Sequence, residues 1–240
     1  MKNIYINPLF YIISLILLIT GFFKFFLYIM IYLFVHEFGH IIVAYLMGFK
    51  IKKINIYPCG LLTIFDMKIN ESNFKNLIIS ISGPFFQCLC YLVLKKYYSI
   101  HMFLLILNLL PIYPLDGSKI VNSFLYLLFP YKMCNNIIFF ISYILSLFIL
   151  IYYFFNFNLF ILIIFILLFI KVIEFYKNKD YLFNLFLLER ILYKFNFRSF
   201  KKIKNINYMY MNRYHYILVD DKYVDENYYL KYFYDLKKRV

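Results

Sequence analysis

The chain has 240 residues, a formal net charge of +14 and a mean hydropathy of +0.72, and 64% of its residues are hydrophobic. Soluble domains are only about half apolar, so this composition excludes an ordinary soluble domain and indicates an integral membrane protein. The four cysteines form no CxxC pair, which argues against a disulfide framework or a cysteine-based zinc site.

Six stretches are apolar over roughly the 20 residues that a helix needs to cross a bilayer. They lie near residues 8–24, 25–47, 76–94, 101–129, 134–154 and 157–173. The fourth stretch contains Pro111, Pro114 and Gly117, so it cannot be one regular helix throughout. The predicted fold class is an all-α polytopic membrane protein with six transmembrane helices.

A short β-hairpin is predicted between the second and third spans. The segment KIKKINIYPCGLLTIF, residues 50 to 65, alternates in its first half and turns at Pro58, Cys59 and Gly60, which is typical of a hairpin or an edge strand. We expect it at the membrane surface, where an edge strand binds an extended peptide by backbone pairing.

Basic residues predict the orientation and the domain division. Short cytoplasmic loops carry the positive excess, so the lysines of residues 50–75 and the basic tail place both termini in the cytoplasm. From Lys171 onward the chain carries 15 of its 26 basic and 8 of its 12 acidic residues. We therefore predict a membrane domain, residues 1–173, and a cytoplasmic tail, residues 174–240. Anionic lipid is the expected partner of the tail, and direct nucleic-acid binding is not expected.

Acidic residues are rare before the tail, and two of them fall near the middle of a predicted span. These two are Glu37 and Asp116, whereas Asp66 and Glu71 follow the hairpin, where water is available. An ionisable group at that depth costs at least about 2.5–3.5 kcal/mol on insertion scales. Such a residue indicates a functional site that faces the interior of the helix bundle.

The second span contains the pattern HExxH. His36 and His40 are four residues apart, which on a helix puts both rings on one face, where both can reach one zinc ion. Glu37 can hold a water on that zinc as a general base. The isolated His101 and His215 are instead expected to be hydrogen-bonded without a ligand.

A catalytic zinc takes three protein ligands and leaves a fourth position for water. The segment NLLPIYPLDGSKI, residues 108 to 120, offers Asp116 as the third ligand, because the prolines and Gly117 open the helix around it. The alternative is that this segment is only a turn between two shorter helices, with Asp116 capping the second. That alternative leaves the histidine pair without a third ligand.

These segments resemble the site-2 protease family of intramembrane zinc metalloproteases. FVHEFGH at 34–40, SGPFFQ at 82–87 and NLLPIYPLDG at 108–117 are similar to its three signatures in order and spacing. The resemblance implies Zn²⁺ as the cofactor, His36, His40 and Asp116 as its ligands and Glu37 as the catalytic base.

The resemblance also implies three supporting residues. Asn108 matches the family's asparagine near the metal, and Pro114 matches the proline that shapes the loop before Asp116. Gln87 stands where many members have an asparagine. It keeps the amide and adds a methylene, so its role in the active site is left open.

The tail is similar to one branch of this family. DYLFNLFLLERILYKF, residues 180 to 195, and the segment from Arg213 to the end resemble the CBS-like tail of the sporulation branch, which processes an inactive sigma-factor precursor. This implies a membrane-associated protein substrate, a pro-sigma factor, with regulatory or inhibitory membrane proteins as partners. It also implies a location in the membrane around the forespore, and it leaves open whether the tail binds ATP. The tail has only one recognisable strand-like run, YHYILVDD, so a reduced CBS-like unit is expected.

Two other hypotheses remain open at this point. A membrane zincin of another family would recruit Glu174 or Glu189 as the third ligand. A non-catalytic membrane scaffold would keep the metal for stability only, but a purely structural site has no need of a base at Glu37.

Overall fold

The chain forms two compact units in the computed structural model. The structure describes residues 3–57, 60–95, 97–193, 195, 197 and 199–237. One unit comprises residues 1–67 and 75–110, and the other comprises residues 68–74 and 111–240. The predicted division at residue 173 falls inside a long helix of the second unit and stays a prediction.

The first unit combines helices with a three-stranded sheet. Its elements in chain order are β1 (Asn3–Ile6), α1 (Pro8–Ile19), α2 (Phe23–Leu46), β2 (Ile51–Tyr57), β3 (Gly60–Phe65), nearly all of α3 (Asn73–Leu94) and α4 (Tyr98–Leu109). The sheet order is β1-β2-β3, with β1 parallel and β3 antiparallel to β2. The predicted turn residues Pro58 and Cys59 lie outside the described residues.

Helix α2 ends in a Schellman motif that redirects the chain into the sheet. Gly48 has a φ of +85°, a conformation that glycine adopts without steric cost. The Gly48 N–H donates to the carbonyl of Tyr45, and the Phe49 N–H donates to the carbonyl of Ala44, both at 3.0 Å. The buried side chain of Phe49 packs in one cluster with Ala44 and Ile79, which fixes the end of α2 against the first turns of α3.

The second unit contains long helices followed by a small α/β tail. Its elements are α5 (Asp116–Leu128), α6 (Tyr131–Asn156), α7 (Leu159–Leu192), β4 (Phe200–Ile203), a 3-10 turn (Ile206–Tyr208), β5 (Tyr214–Val219), β6 (Lys222–Asp225) and α8 (Glu226–Lys237). Strand β5 corresponds to the strand-like run seen in the sequence, and it pairs parallel to β4 and antiparallel to β6. Strands β4 and β6 were not predicted from the sequence, because each is only four residues long.

Three of the described helices are long and apolar enough to cross a membrane: α2, α3 and α6. Residues 10–19 of α1 and all of α4 form shorter apolar helices. The fourth predicted span, residues 101–129, is divided between α4 and α5, with the proline-containing break between them. The protein is therefore a largely helical integral membrane protein, and the count of six spans stays a prediction.

An apolar cluster packs the tail onto the start of α6 and the end of α7. The Tyr131 ring stacks on Phe186 with centroids 4.4 Å apart, and the fully buried Leu187, Ile217 and Leu230 belong to the same cluster. Side chains from five elements of the second unit meet there: α6, α7, β4, β5 and α8. The tail is thus continuous with α7 rather than a separately tethered module.

Arg190 lies at the centre of a buried polar network in the second unit. Its guanidinium donates to Glu226 Oε1 at 2.9 Å, to Asn70 Oδ1 at 2.7 Å and to three backbone carbonyls of residues 210–213. Glu226 also accepts from Nδ1 of His215 at 2.9 Å. A buried charge is tolerated only when it is paired and hydrogen-bonded, and this network satisfies both requirements.

His215 makes the stability of the tail dependent on pH. The N–H of Tyr210 donates to its Nε2 at 3.0 Å, while Nδ1 faces Glu226, so the ring is held neutral. Burial lowers the pKa of His215, and the Glu226 carboxylate opposes this without overcoming it. The unfolded chain, with a histidine pKa of about 6.5, then binds the proton more readily. The stabilisation is therefore fully present above that pH and is lost as the pH falls.

We expect the amides of β5 to lose hydrogen-exchange protection between about pH 7.5 and about pH 5.5, on either side of the histidine value. The His215→Asn variant keeps a donor for Glu226 and cannot be protonated, so its protection factors should change much less over that range. Equal losses in both proteins would contradict the assignment to His215.

Candidate metal centre

The two histidines of the HExxH pattern lie on one face of α2 and are buried. Their side chains are 3% and 5% exposed for His36 and His40, and the two Nε2 atoms are 3.2 Å apart. Two nitrogens at about 2.0–2.1 Å from a tetrahedral zinc would lie roughly 3.3 Å from each other. The separation of the two imidazoles therefore suits a shared ion of that kind.

The outer nitrogen of each ring is held by an acceptor on α3. Nδ1 of His36 lies 3.0 Å from Oε1 of Gln87, and Nδ1 of His40 lies 2.6 Å from the carbonyl oxygen of Ile79. The Ile79 carbonyl also accepts from Oγ of Ser82 at 2.6 Å. With a proton fixed on Nδ1, each ring presents the lone pair of Nε2, which is the usual arrangement of a metal-ligating histidine.

Glycine is required where α3 passes the two ligand atoms. A Cβ atom at Gly83 would lie 2.3 Å from Nε2 of His40 and 2.8 Å from Nε2 of His36. On the facing helix, a Cβ at Gly39 would lie 2.8 Å from the carbonyl oxygen of Ser82. The helices α2 and α3 thus approach backbone to backbone, and Gly83 leaves open the space beside both Nε2 atoms.

Asp116 is the first residue of α5 and is buried. His36 and His40 are likewise buried. The N-cap position of α5 is Leu115, so Asp116 does not cap this helix as the alternative interpretation of the turn requires. Oδ1 of Asp116 also accepts from Nζ of Lys119 at 2.8 Å. Two imidazoles and one carboxylate form a donor set that suits zinc.

A buried serine on α6 holds the break that precedes Asp116. The N–H of Tyr113 donates to Oγ of Ser142 at 3.0 Å, and that hydroxyl donates to the carbonyl of Pro111 at 3.4 Å. Freed backbone groups at membrane depth need such partners. Ser142 was not predicted from the sequence, because a single serine in an apolar run carries no signal of its own.

The other predicted site residues lie near the proposed ligands in the sequence. Glu37 follows His36 on α2 and is half-buried. Asn108 is half-buried at the penultimate position of α4, and Pro114 lies in the break, after a cis peptide bond with Tyr113.

The other zincin hypothesis needs Glu174 or Glu189 as the third ligand, but each glutamate has another partner. Glu174 pairs with Lys171 at 2.8 Å, and both side chains are about half exposed. Oε2 of Glu189 accepts from the backbone N–H of Asn70 at 3.0 Å and from its side-chain amide.

Comparisons with known proteins agree with this arrangement. The model of Peptidase family M50 matches residues 24–96, which include the HExxH and SGPFFQ segments. Stage IV sporulation protein FB of Bacillus subtilis (strain 168) is 26% identical over 210 residues, which cover 78% of this chain and 71% of that protein. The solved Site-2 Protease from Methanocaldococcus jannaschii superposes with a TM-score of 0.54 at 21% identity, over 72% of this chain and 91% of that one.

The solved structure supports the fold. The family model covers α2, which carries both histidines, and α3, which carries their acceptors. The resemblance seen in the three sequence segments is confirmed. Residues 24–96 therefore match Peptidase family M50, and these findings support a zinc metalloprotease of the site-2 protease type.

Proposed function

We propose that the protein binds Zn²⁺ through His36, His40 and Asp116 and hydrolyses a peptide bond of a membrane-associated protein. The observation that carries this proposal is the buried pair of imidazoles on α2, whose Nε2 atoms lie 3.2 Å apart, and Asp116 is the third ligand that the resemblance implies. Each histidine has its outer nitrogen hydrogen-bonded, as a zinc ligand requires.

Glu37 is the proposed proton carrier of the reaction. Zinc, when bound, acts as a Lewis acid toward the substrate carbonyl and makes water nucleophilic near neutral pH. The Glu37 carboxylate takes a proton from the attacking water as the C–O bond forms. It then passes that proton to the amide nitrogen as the C–N bond breaks. His36 and His40 hold their own protons on Nδ1 throughout.

The sheet of the first unit is the proposed site for an extended substrate segment. In the order β1-β2-β3, each outer strand has a single partner among the described strands, so one edge of β3 is open. A substrate helix must be unwound before its peptide bond can be attacked, and pairing with an open edge stabilises an extended segment. We also propose that this sheet lies at the membrane surface.

The proposed substrate is an inactive sigma-factor precursor, processed during sporulation in the membrane around the forespore. The support is the 26% identity with a protein named for sporulation and the resemblance of the tail. Both termini are proposed to face the cytoplasm, with the basic tail at anionic lipid. Inhibitory or regulatory membrane proteins are further proposed partners.

ATP binding by the tail stays a prediction. A cavity of about 370 Å³ in the second unit is lined by aromatic side chains, among them Tyr193 and Tyr214, and by Lys231. The buried charges at its wall, Arg190 and Glu226, are already paired with each other at 2.9 Å. The cavity by itself therefore does not favour a nucleotide.

Co-expression with a sigma-factor precursor tests this proposal. We expect wild type to shorten the precursor and Asp116→Asn to leave it intact, because a neutral amide is a much weaker zinc ligand than a carboxylate. Purified Asp116→Ala should retain little zinc. An unprocessed precursor with zinc-loaded wild type would refute the substrate, and full zinc content in Asp116→Ala would refute the ligand set.

A further inference from the structure

Gln87 connects three helices of the first unit at one buried point. The residue is on α3, one turn after Gly83, and its side chain is 0% exposed. Its Oε1 lies 3.0 Å from Nδ1 of His36 on α2, and its Nε2 donates to the backbone carbonyl of His101 on α4 at 3.2 Å. Both polar ends of the amide are therefore engaged.

These two contacts allow only one orientation of the amide. If the amide were turned over, its NH₂ group would face the Nδ1–H of His36. Its oxygen would then face the carbonyl oxygen of His101, so both bonds would be lost in a buried place, where an unsatisfied polar group is costly. The His101 carbonyl therefore orients Gln87, and Gln87 in turn keeps the His36 proton on Nδ1.

We propose that Gln87 is a positioning residue that fixes the tautomer and ring orientation of His36, with the main chain of α4 as its brace. The inference rests on the proposed zinc site and deepens it. The two histidines differ in this respect, because His40 is held by the main-chain carbonyl of Ile79. Only the hold on His36 depends on a side chain.

The length of glutamine is essential to this role. Asparagine is shorter by one C–C bond, about 1.5 Å, and that shortfall takes one or both contacts beyond hydrogen-bond range. Helix α3 cannot move towards α2 to compensate, since a mere Cβ at Gly39 would already meet the Ser82 carbonyl at 2.8 Å. The asparagine that many family members have at this position should therefore not replace Gln87 in this chain.

Zinc affinity of the full chain in detergent, measured by chelator competition, tests the proposal. We expect Gln87→Leu and Gln87→Asn to weaken zinc binding about 10–100-fold, the usual effect of losing an outer partner of a ligating histidine. Gln87→Glu keeps an acceptor for His36 but sets a carboxylate oxygen against the His101 carbonyl, so its zinc affinity should fall between those of wild type and Gln87→Leu. The absorption spectrum of the cobalt-substituted protein should shift in Gln87→Leu and Gln87→Asn only. Cys88→Ala, at the next position of α3, is the control.

Wild-type affinity in Gln87→Leu and Gln87→Asn would overturn the proposal. Equal losses in Gln87→Leu and Gln87→Glu would also overturn it, since the residue would then contribute packing rather than an acceptor. A wild-type protein without zinc affinity would instead refute the proposed function on which the inference rests.

Discussion

Replacing Glu37 with glutamine is expected to lower the rate of peptide cleavage by about 10²–10⁴-fold, the usual contribution of a general base, with no loss of bound zinc. Glutamine has nearly the same size as glutamate and cannot take up a proton. Glu37 is not one of the proposed ligands, so the substitution leaves His36, His40 and Asp116 in place.

The measurement combines single-turnover cleavage with zinc content for wild type and variant. Glu174→Gln is the matched control, because this glutamate lies on α7 and is about half exposed. It should cleave at the wild-type rate. Zinc loss in Glu37→Gln would make Glu37 a ligand, and full activity with zinc bound would remove it from the mechanism.

Gly83→Ala is expected to abolish zinc binding and cleavage together. The added methyl carbon would lie 2.3 Å from Nε2 of His40 and 2.8 Å from Nε2 of His36, well inside van der Waals contact. Relief requires both ligand atoms to leave their positions or α3 to move away from α2. The loss of zinc affinity should therefore exceed the roughly 10–100-fold loss that follows mutation of an outer partner.

Two further variants separate this clash from general damage to α3. Ile81→Ala shortens a side chain that is 45% exposed and should leave zinc affinity unchanged. Gly39→Ala adds a carbon 2.8 Å from the Ser82 carbonyl and 2.9 Å from Cβ of Phe86, so it should lower the melting temperature by forcing the helices apart. Zinc affinity in Gly83→Ala close to that of wild type would show that the space beside the histidines is not used.

The residues of the proposed centre were predictable because their chemistry conflicts with their surroundings. Glu37 and Asp116 are costly at membrane depth, and a spacing of four residues places two histidines on one helical face. The break before Asp116 was predictable from Pro111 and Pro114. These signals are local, so they can be recognised without knowledge of the fold.

The residues that hold the ligands were not predictable in the same way. The Ile79 carbonyl is a main-chain group, so no side chain marks it, and Ser142 is an ordinary residue in an apolar run. Gln87 was noticed only as a departure from a family pattern, and its partners lie 51 and 14 residues away along the chain. Hydropathy likewise marked the start of α7 but not its continuation to Leu192, because charged residues such as Lys177 and Asp180 interrupt the apolar run there.

The sequence by itself determined that this is a membrane protein with a histidine pair, a base and a carboxylate suited to zinc, because burial cost and helical period act on single segments. Tertiary structure alone decided which acceptors fix the two imidazoles and why Gly83 must lack a side chain. It also decided that Arg190 is neutralised by Glu226. Each of these depends on the distance between atoms of different elements, which no periodicity within one element specifies.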